Sequence, residues 1–121
     1  CDKALKTISG TITSQRENPA SDIKELPLTK NQIVKSRALM RVNHSGEVAA
    51  QALYCGQALF SRQKNLSEKL LVAANEEGDH LNWCKERILQ LQGRESFLNP
   101  FWYLGAFGLG AMAGLVSDKF S

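Results

Sequence analysis

The residues most able to do chemistry are two short strings with carboxylates and imidazoles at helical spacing. In Glu77-Gly78-Asp79-His80, a Glu and a His stand three apart. On a helix such residues project about 60° apart, so both can reach one metal ion. Earlier, in Arg41-Val42-Asn43-His44-Ser45-Gly46-Glu47, a second Glu sits among small and apolar neighbours, Val48, Ala49, Ala50 and Ala52. A carboxylate on the inner stripe of a helix is costly unless it is paired or metal-bound. One Glu plus one E-x-x-H is half the ligand set of a carboxylate-bridged di-iron bundle. Alone, an E-x-x-H string is usually solvated surface. The reading therefore needs Glu47, Glu77 and His80 to converge.

The elements that would bring them together are legible. Leu28-Thr29-Lys30-Asn31-Gln32-Ile33 carries an N-cap Thr, Gln32 at the capping-box position and Leu28 with Ile33 at staple spacing. A long helix is predicted over roughly 30–63. Asn65-Leu66-Ser67-Glu68 reads as a second start. The helix from it runs over about 66–92, with Leu70, Leu71, Ala74, Leu81, Cys84, Ile88 and Leu91 as its apolar stripe and Gly93 as its C′ residue. So short a break predicts an antiparallel hairpin, with Glu47 and the Glu77/His80 pair at matching depths from the turn.

The third segment has no Asp, Glu, Lys or Arg from Ser96 to Ser117. Asn99-Pro100 is a cap with proline in the first turn. Residues 100–116 then run apolar, about 25 Å as a helix, short of the ~30 Å hydrocarbon core. Ala106, Gly110 and Gly114 form a small-residue stripe, fit either for close packing in a membrane or for a core whose partners lie elsewhere. No strand-like alternation is present, so the chain is all-α. Residues 1–28 read as a polar, loosely packed arm, with at most a helical turn near Lys3–Ile8.

Composition narrows the function. The chain has 121 residues, enough for one domain, with 43% apolar and 22% charged residues and a net charge of +3. The charges come in both signs along the chain with no run of like charge, which gives little support to nucleic-acid binding and leaves an anionic membrane surface open. Cys1, Cys55 and Cys84 form no C-x-x-C pair, as expected of reduced thiols in the cytosol. A first residue other than Met suggests a fragment.

Three motifs then match a family. Met40–Gln57, MRVNHSGEVAAQALYCGQ, resembles the "RVNHxGE…YxGQ" helix of the demethoxyubiquinol hydroxylases of ubiquinone biosynthesis. Glu76–Trp83, EEGDHLNW, resembles that family's second ligand helix, and Leu98–Val116, LNPFWYLGAFGLGAMAGLV, its "LxPxWYxGxFxLGAxAGL" segment. The resemblance is closest to the bacterial form. It implies a ferritin-like di-iron monooxygenase that hydroxylates the ring of a demethoxy-polyprenyl-quinol with O2. It also implies a peripheral place on the cytoplasmic face of the bacterial inner membrane, with a biosynthetic complex or a homo-oligomer as partner.

Carried over by motif, Glu47, Glu77 and His80 are iron ligands. The complete protein would hold two irons, and residues 29–121 would be the first half of its bundle, with residues 1–28 as the arm. The chain alone is then expected to be inactive. His44 and Tyr54 would support the ligands from behind, Tyr54 by packing more than by redox work. Cys84 is either a soft ligand or a buried apolar thiol, the latter favoured. Phe97, Phe101, Trp102, Leu104, Phe107, Leu109 and Met112 would meet membrane or substrate. Two competing readings are a catalytically incompetent fragment or helix-hairpin interaction module, and a small integral membrane protein.

Overall fold

The computed structural model describes residues 15–120, and of residues 118–120 the backbone only. The turn expected near Lys3–Ile8 lies outside the described residues. Three helices follow one another: α1 (Lys30–Phe60), α2 (Lys64–Gln90) and α3 (Asn99–Phe120). No strand occurs among the described residues.

The start of α1 follows from its cap. The Thr29 hydroxyl accepts from the Gln32 backbone N–H at 3.2 Å, and Gln32 Oε1 accepts from the Thr29 N–H at 2.8 Å. Two of the helix's unpaired donors are thereby satisfied. The helix ends at Phe60, short of the predicted 63, because Ser61 and Gln63 turn extended. The second helix begins at Lys64, two residues before the predicted start. In its first turn the Ser67 hydroxyl donates across the hairpin to the Ala58 carbonyl at 2.8 Å.

The end of α2 also differs from expectation. The left-handed residue is Gln92, at φ 60°, and not Gly93. Gln92 N–H bonds Leu89 O and Gly93 N–H bonds Ile88 O, the paired bonds of a Schellman ending. Gly93 is needed for a different reason. A Cβ there would sit 2.5 Å from the Arg37 stem, which crosses it to reach the Leu91 and Gln92 carbonyls.

The first helix packs against both others. Bonds from Arg37 to Leu91, Gln51 to Ala74 and Ser67 to Ala58 set α1 and α2 antiparallel. Pairings of Ser45 with Asn99, Leu53 with Gly110 and Gln57 with Gly114 set α3 parallel to α1. Val48 and Ala52 of α1, Leu81 of α2 and Tyr103 of α3 form one fully buried cluster, with Ala106 and Phe107 against it. Burying side chains the size of Val48 and Leu81 contributes about 1.5–3 kcal/mol each.

The small-residue stripe of α3 has its partner within this chain. A Cβ at Gly110 would collide with the Leu53 carbonyl, one at Gly114 would lie 2.7 Å from the Gln57 carbonyl, and one at Gly56 would collide with the Phe107 carbonyl. Glycines on both helices thus let the backbones touch. The helix is longer than the predicted 100–116, and its window Asn99–Ser117 is long and apolar enough to cross a membrane by length and composition. One flank is nonetheless committed to α1.

Residues 15–29 are non-helical, as the prolines and polar composition imply, but they are not loose. They run along α2, with Arg16 on Asp79, Asn18 on Glu86, and Glu25 paired with Arg87.

Candidate metal centre

The register of the hairpin positions the site. With Gln51 opposite Ala74 and Arg37 opposite Leu91, Glu47 falls opposite the turn that holds Glu77 and His80. One ligand atom from each of the three lies within 4.8 Å of the others. His80 Nδ1 is 3.3 Å from Glu77 Oε2 and 3.5 Å from Glu47 Oε2. All three side chains are half-buried.

The electrostatics are those of a cation site. Burial pushes the Glu47 carboxyl up to about 7, and the hydrogen bond and charge of Glu77 push the same way against the pull of His80. Two carboxylates held this close share a proton unless a positive charge replaces it. Two carboxylates and an imidazole form an oxygen- and nitrogen-rich donor set that suits iron or manganese. The residues therefore fit a metal ion. Cys84 is not among the residues whose ligand atoms converge. Its thiol is half-buried and pushed up to about 11, by burial and then by Glu47 and Glu77.

His44 is buried, and its partners lie at the start of α3. Asn99, itself 3% exposed, donates from Nδ2 to His44 Nδ1 at 3.2 Å and accepts from the Ser45 hydroxyl at 2.9 Å. His44 Nε2 points toward Glu95 Oε1 at 3.9 Å, and Lys85 Nζ lies 3.5 Å from that oxygen. Burial holds the His44 imidazole below its usual value. These contacts join α1 to the start of α3 and the residues just before it, and among the described residues no hydrogen bond joins His44 to Glu47. Tyr54 is half-buried on α1, and among the described residues no hydrogen bond joins it to Glu47, Glu77 or His80.

Of the residues expected to meet membrane or substrate, Phe97, Phe101, Trp102, Leu104, Leu109 and Met112 are exposed. Phe107 is not part of this surface. It turns inward against the buried cluster and stacks on Tyr103, ring centroids 6.3 Å apart. The reason is its position one turn after Tyr103, on the flank that α1 covers.

Three contributors were not singled out by spacing. Asp79, 4% exposed, accepts from the Gln15 N–H and from Arg16 Nε, both at 2.6 Å. Burial alone would raise its carboxyl, but these bonds outweigh it and hold the group below the usual range. Asp79 stands inside the E-x-x-H string, and no local pattern in the sequence pairs it with an Arg more than sixty residues away. Asn99 was read only as a cap. Tyr103 is 2% exposed, and its hydroxyl lies buried beside the Cys55 thiol, raised by burial and by that neighbour.

Comparison with known proteins adds the family. Residues 34–121 match the family model described as Ubiquinone biosynthesis protein COQ7. Curated relatives named 3-demethoxyubiquinol 3-hydroxylase include one from Xanthomonas oryzae pv. oryzae, 47% identical over 119 residues, 98% of this chain and 55% of the relative. Others come from Nitrosococcus oceani, 49% identical over 99% of this chain and 56% of the relative, and from Nitrosomonas eutropha, 48% identical over 99% and 58%. The chain spans about half the length of the curated relatives it matches. No solved structure matches.

Proposed function

The chain belongs to the COQ7 family of ubiquinone biosynthesis proteins, and we propose that it supplies half of the metal centre of an O2-dependent 3-demethoxyubiquinol hydroxylase. The observation that carries this reading is the convergence of Glu47, Glu77 and His80 within 4.8 Å across the α1–α2 hairpin. The metal is iron, two ions in the complete protein, with the remaining ligands supplied from outside residues 1–121. Bound iron would supply the activation of O2 and its delivery to the quinol ring.

The chain's own residues do the rest. Glu47 gives up its proton and, with Glu77, neutralises the cation. His80 offers a ring nitrogen to the same point. Val48 and Leu81, next in sequence to two of the ligands, close the site with Tyr103 and Phe107 and keep water from that side.

The exposed flank of α3, with Phe101, Leu104 and Met112 on one line and Trp102 and Leu109 on another, takes the isoprenoid tail or the membrane surface. On this reading the protein is peripheral on the cytoplasmic face of the bacterial inner membrane. The reaction is tested by giving the natural polypeptide that carries this sequence a demethoxy-quinol, a reductant and 18O2. One labelled oxygen in a new ring hydroxyl is expected, and no product, or an unlabelled one, overturns the assignment.

A further inference from the structure

The N-terminal arm is anchored on the turn of α2 that carries the ligands. Gln15 N–H bonds one oxygen of Asp79 and Arg16 Nε bonds the other, both at 2.6 Å. Asp79 lies between Glu77 and His80 in sequence and is 4% exposed. Arg16 then folds over Trp83, its guanidinium carbon 5.2 Å from the ring centroid, while Trp83 Nε1–H donates to the Arg16 carbonyl at 3.4 Å. The Trp83 ring in turn lies against the His80 imidazole, centroids 5.5 Å apart and tilted by 46°.

One arm residue therefore grips both neighbours of a ligand, the acid just before it and the ring packed on it. The energetics favour a real grip. An exposed Arg–carboxylate pair contributes little, but here the carboxylate is buried, so losing Arg16 strands an oxygen away from water. The cation–π contact adds to this at a half-exposed ring. His80 itself is 40% exposed on its side chain, so packing from the core does not fix its ring. What borders the imidazole is Glu47, Glu77 and Trp83.

We propose that Arg16 is a positioning residue of the metal centre: by clamping Asp79 and Trp83 it fixes the His80 ring on the point shared with Glu47 and Glu77. The proposal rests on the reading of those three residues as metal ligands. It gives the arm a task that a polar, proline-containing segment does not announce. Groups that support a ligand from outside commonly change metal affinity by 10–100-fold when removed. Arg16 acts through two intermediaries, so the lower end applies.

The test is Co(II) titration of the natural polypeptide that carries this sequence, read from visible absorption, with far-UV circular dichroism to monitor folding. Arg16→Ala is expected to raise the Co(II) dissociation constant about tenfold and to shift the absorption band. Arg16→Lys keeps the charge at an exposed position and should fold, giving a smaller rise because it cannot both bond Asp79 and cover Trp83. Lowered thermal stability with unchanged affinity and band would make the arm a structural strap only and would overturn the proposal. So would no change at all. Failure of the unsubstituted protein to bind Co(II), or binding indifferent to Glu77→Gln, would instead overturn the metal-site reading, and the proposal with it.

Discussion

Two glycine-to-alanine substitutions on α3 should act with opposite signs. In an open helix, replacing Gly by Ala stabilises by up to about 1 kcal/mol, because Gly loses more backbone freedom on folding. Gly105 is such a position, with nothing within 4 Å of an added Cβ. At Gly110 the added carbon would collide with the Leu53 carbonyl oxygen and lie 3.0 Å from Gln57 N. These are backbone atoms of α1, so no side chain can swing aside. The helices must part by roughly 1 Å to restore ordinary C···O contact, which loosens the neighbouring contacts at Gly56 and Gly114. Overpacking of this kind costs about 1–3 kcal/mol. The upper end applies, and the helix-propensity gain offsets part of it, leaving a net loss of about 2 kcal/mol. The two variants should therefore differ by about 3 kcal/mol. Urea unfolding of residues 1–121, followed by helical circular dichroism, resolves this as a midpoint difference of 1 M or more at slopes of about 1–3 kcal/mol per M. Equal midpoints for Gly105→Ala and Gly110→Ala would refute the backbone contact between α1 and α3.

Three further outcomes are expected. Glu47 ordinarily titrates at 4.5 and is raised to about 7 when folded, so the folded metal-free chain binds this proton more tightly; the stabilisation is full below pH 4.5 and lost as pH rises through about 7, and Glu47→Gln should flatten that slope in pH-dependent urea unfolding. Asn99→Ala leaves the buried His44 and the half-buried Ser45 without their Asn99 partner and should cost about 1–3 kcal/mol by thermal denaturation, whereas an unchanged melting point would discount the link. Phe101→Glu with Leu104→Glu should abolish flotation with anionic liposomes while preserving helicity, Phe107→Glu should unfold the chain, and flotation unaffected by the first pair would count against membrane docking.

The parts of the molecule visible in the sequence are those governed by local rules. The Thr29/Gln32 box, the 3.6 periodicity of α2 and a two- to three-residue break were enough for the hairpin, and the hairpin's register brings Glu47 to Glu77 and His80. The helix ends were less legible because tertiary contacts moved them. The start of α2 moves to Lys64, with Ser67 of its first turn bonded across the hairpin to Ala58, and Gly93 is reserved for the passage of Arg37 while Gln92 takes the left-handed turn. Orientation within α3 was legible only as the Ala106, Gly110 and Gly114 stripe, in a stretch otherwise apolar on every side. Only the glycine contacts decide that Phe107 faces inward while Phe101 and Leu104 face out. The docking of the arm joins residues more than sixty apart in sequence, and no short-range pattern records such a pair.

The central claim is that Glu47, Glu77 and His80 hold iron. Anomalous diffraction at the iron edge, from crystals of the natural polypeptide that carries this sequence, tests it most directly. The expected result is an iron peak about 2 Å from an oxygen of Glu47, an oxygen of Glu77 and a ring nitrogen of His80, typical bonding distances for such ligands. Iron bound elsewhere, with Glu47, Glu77 and His80 uncoordinated, would contradict it.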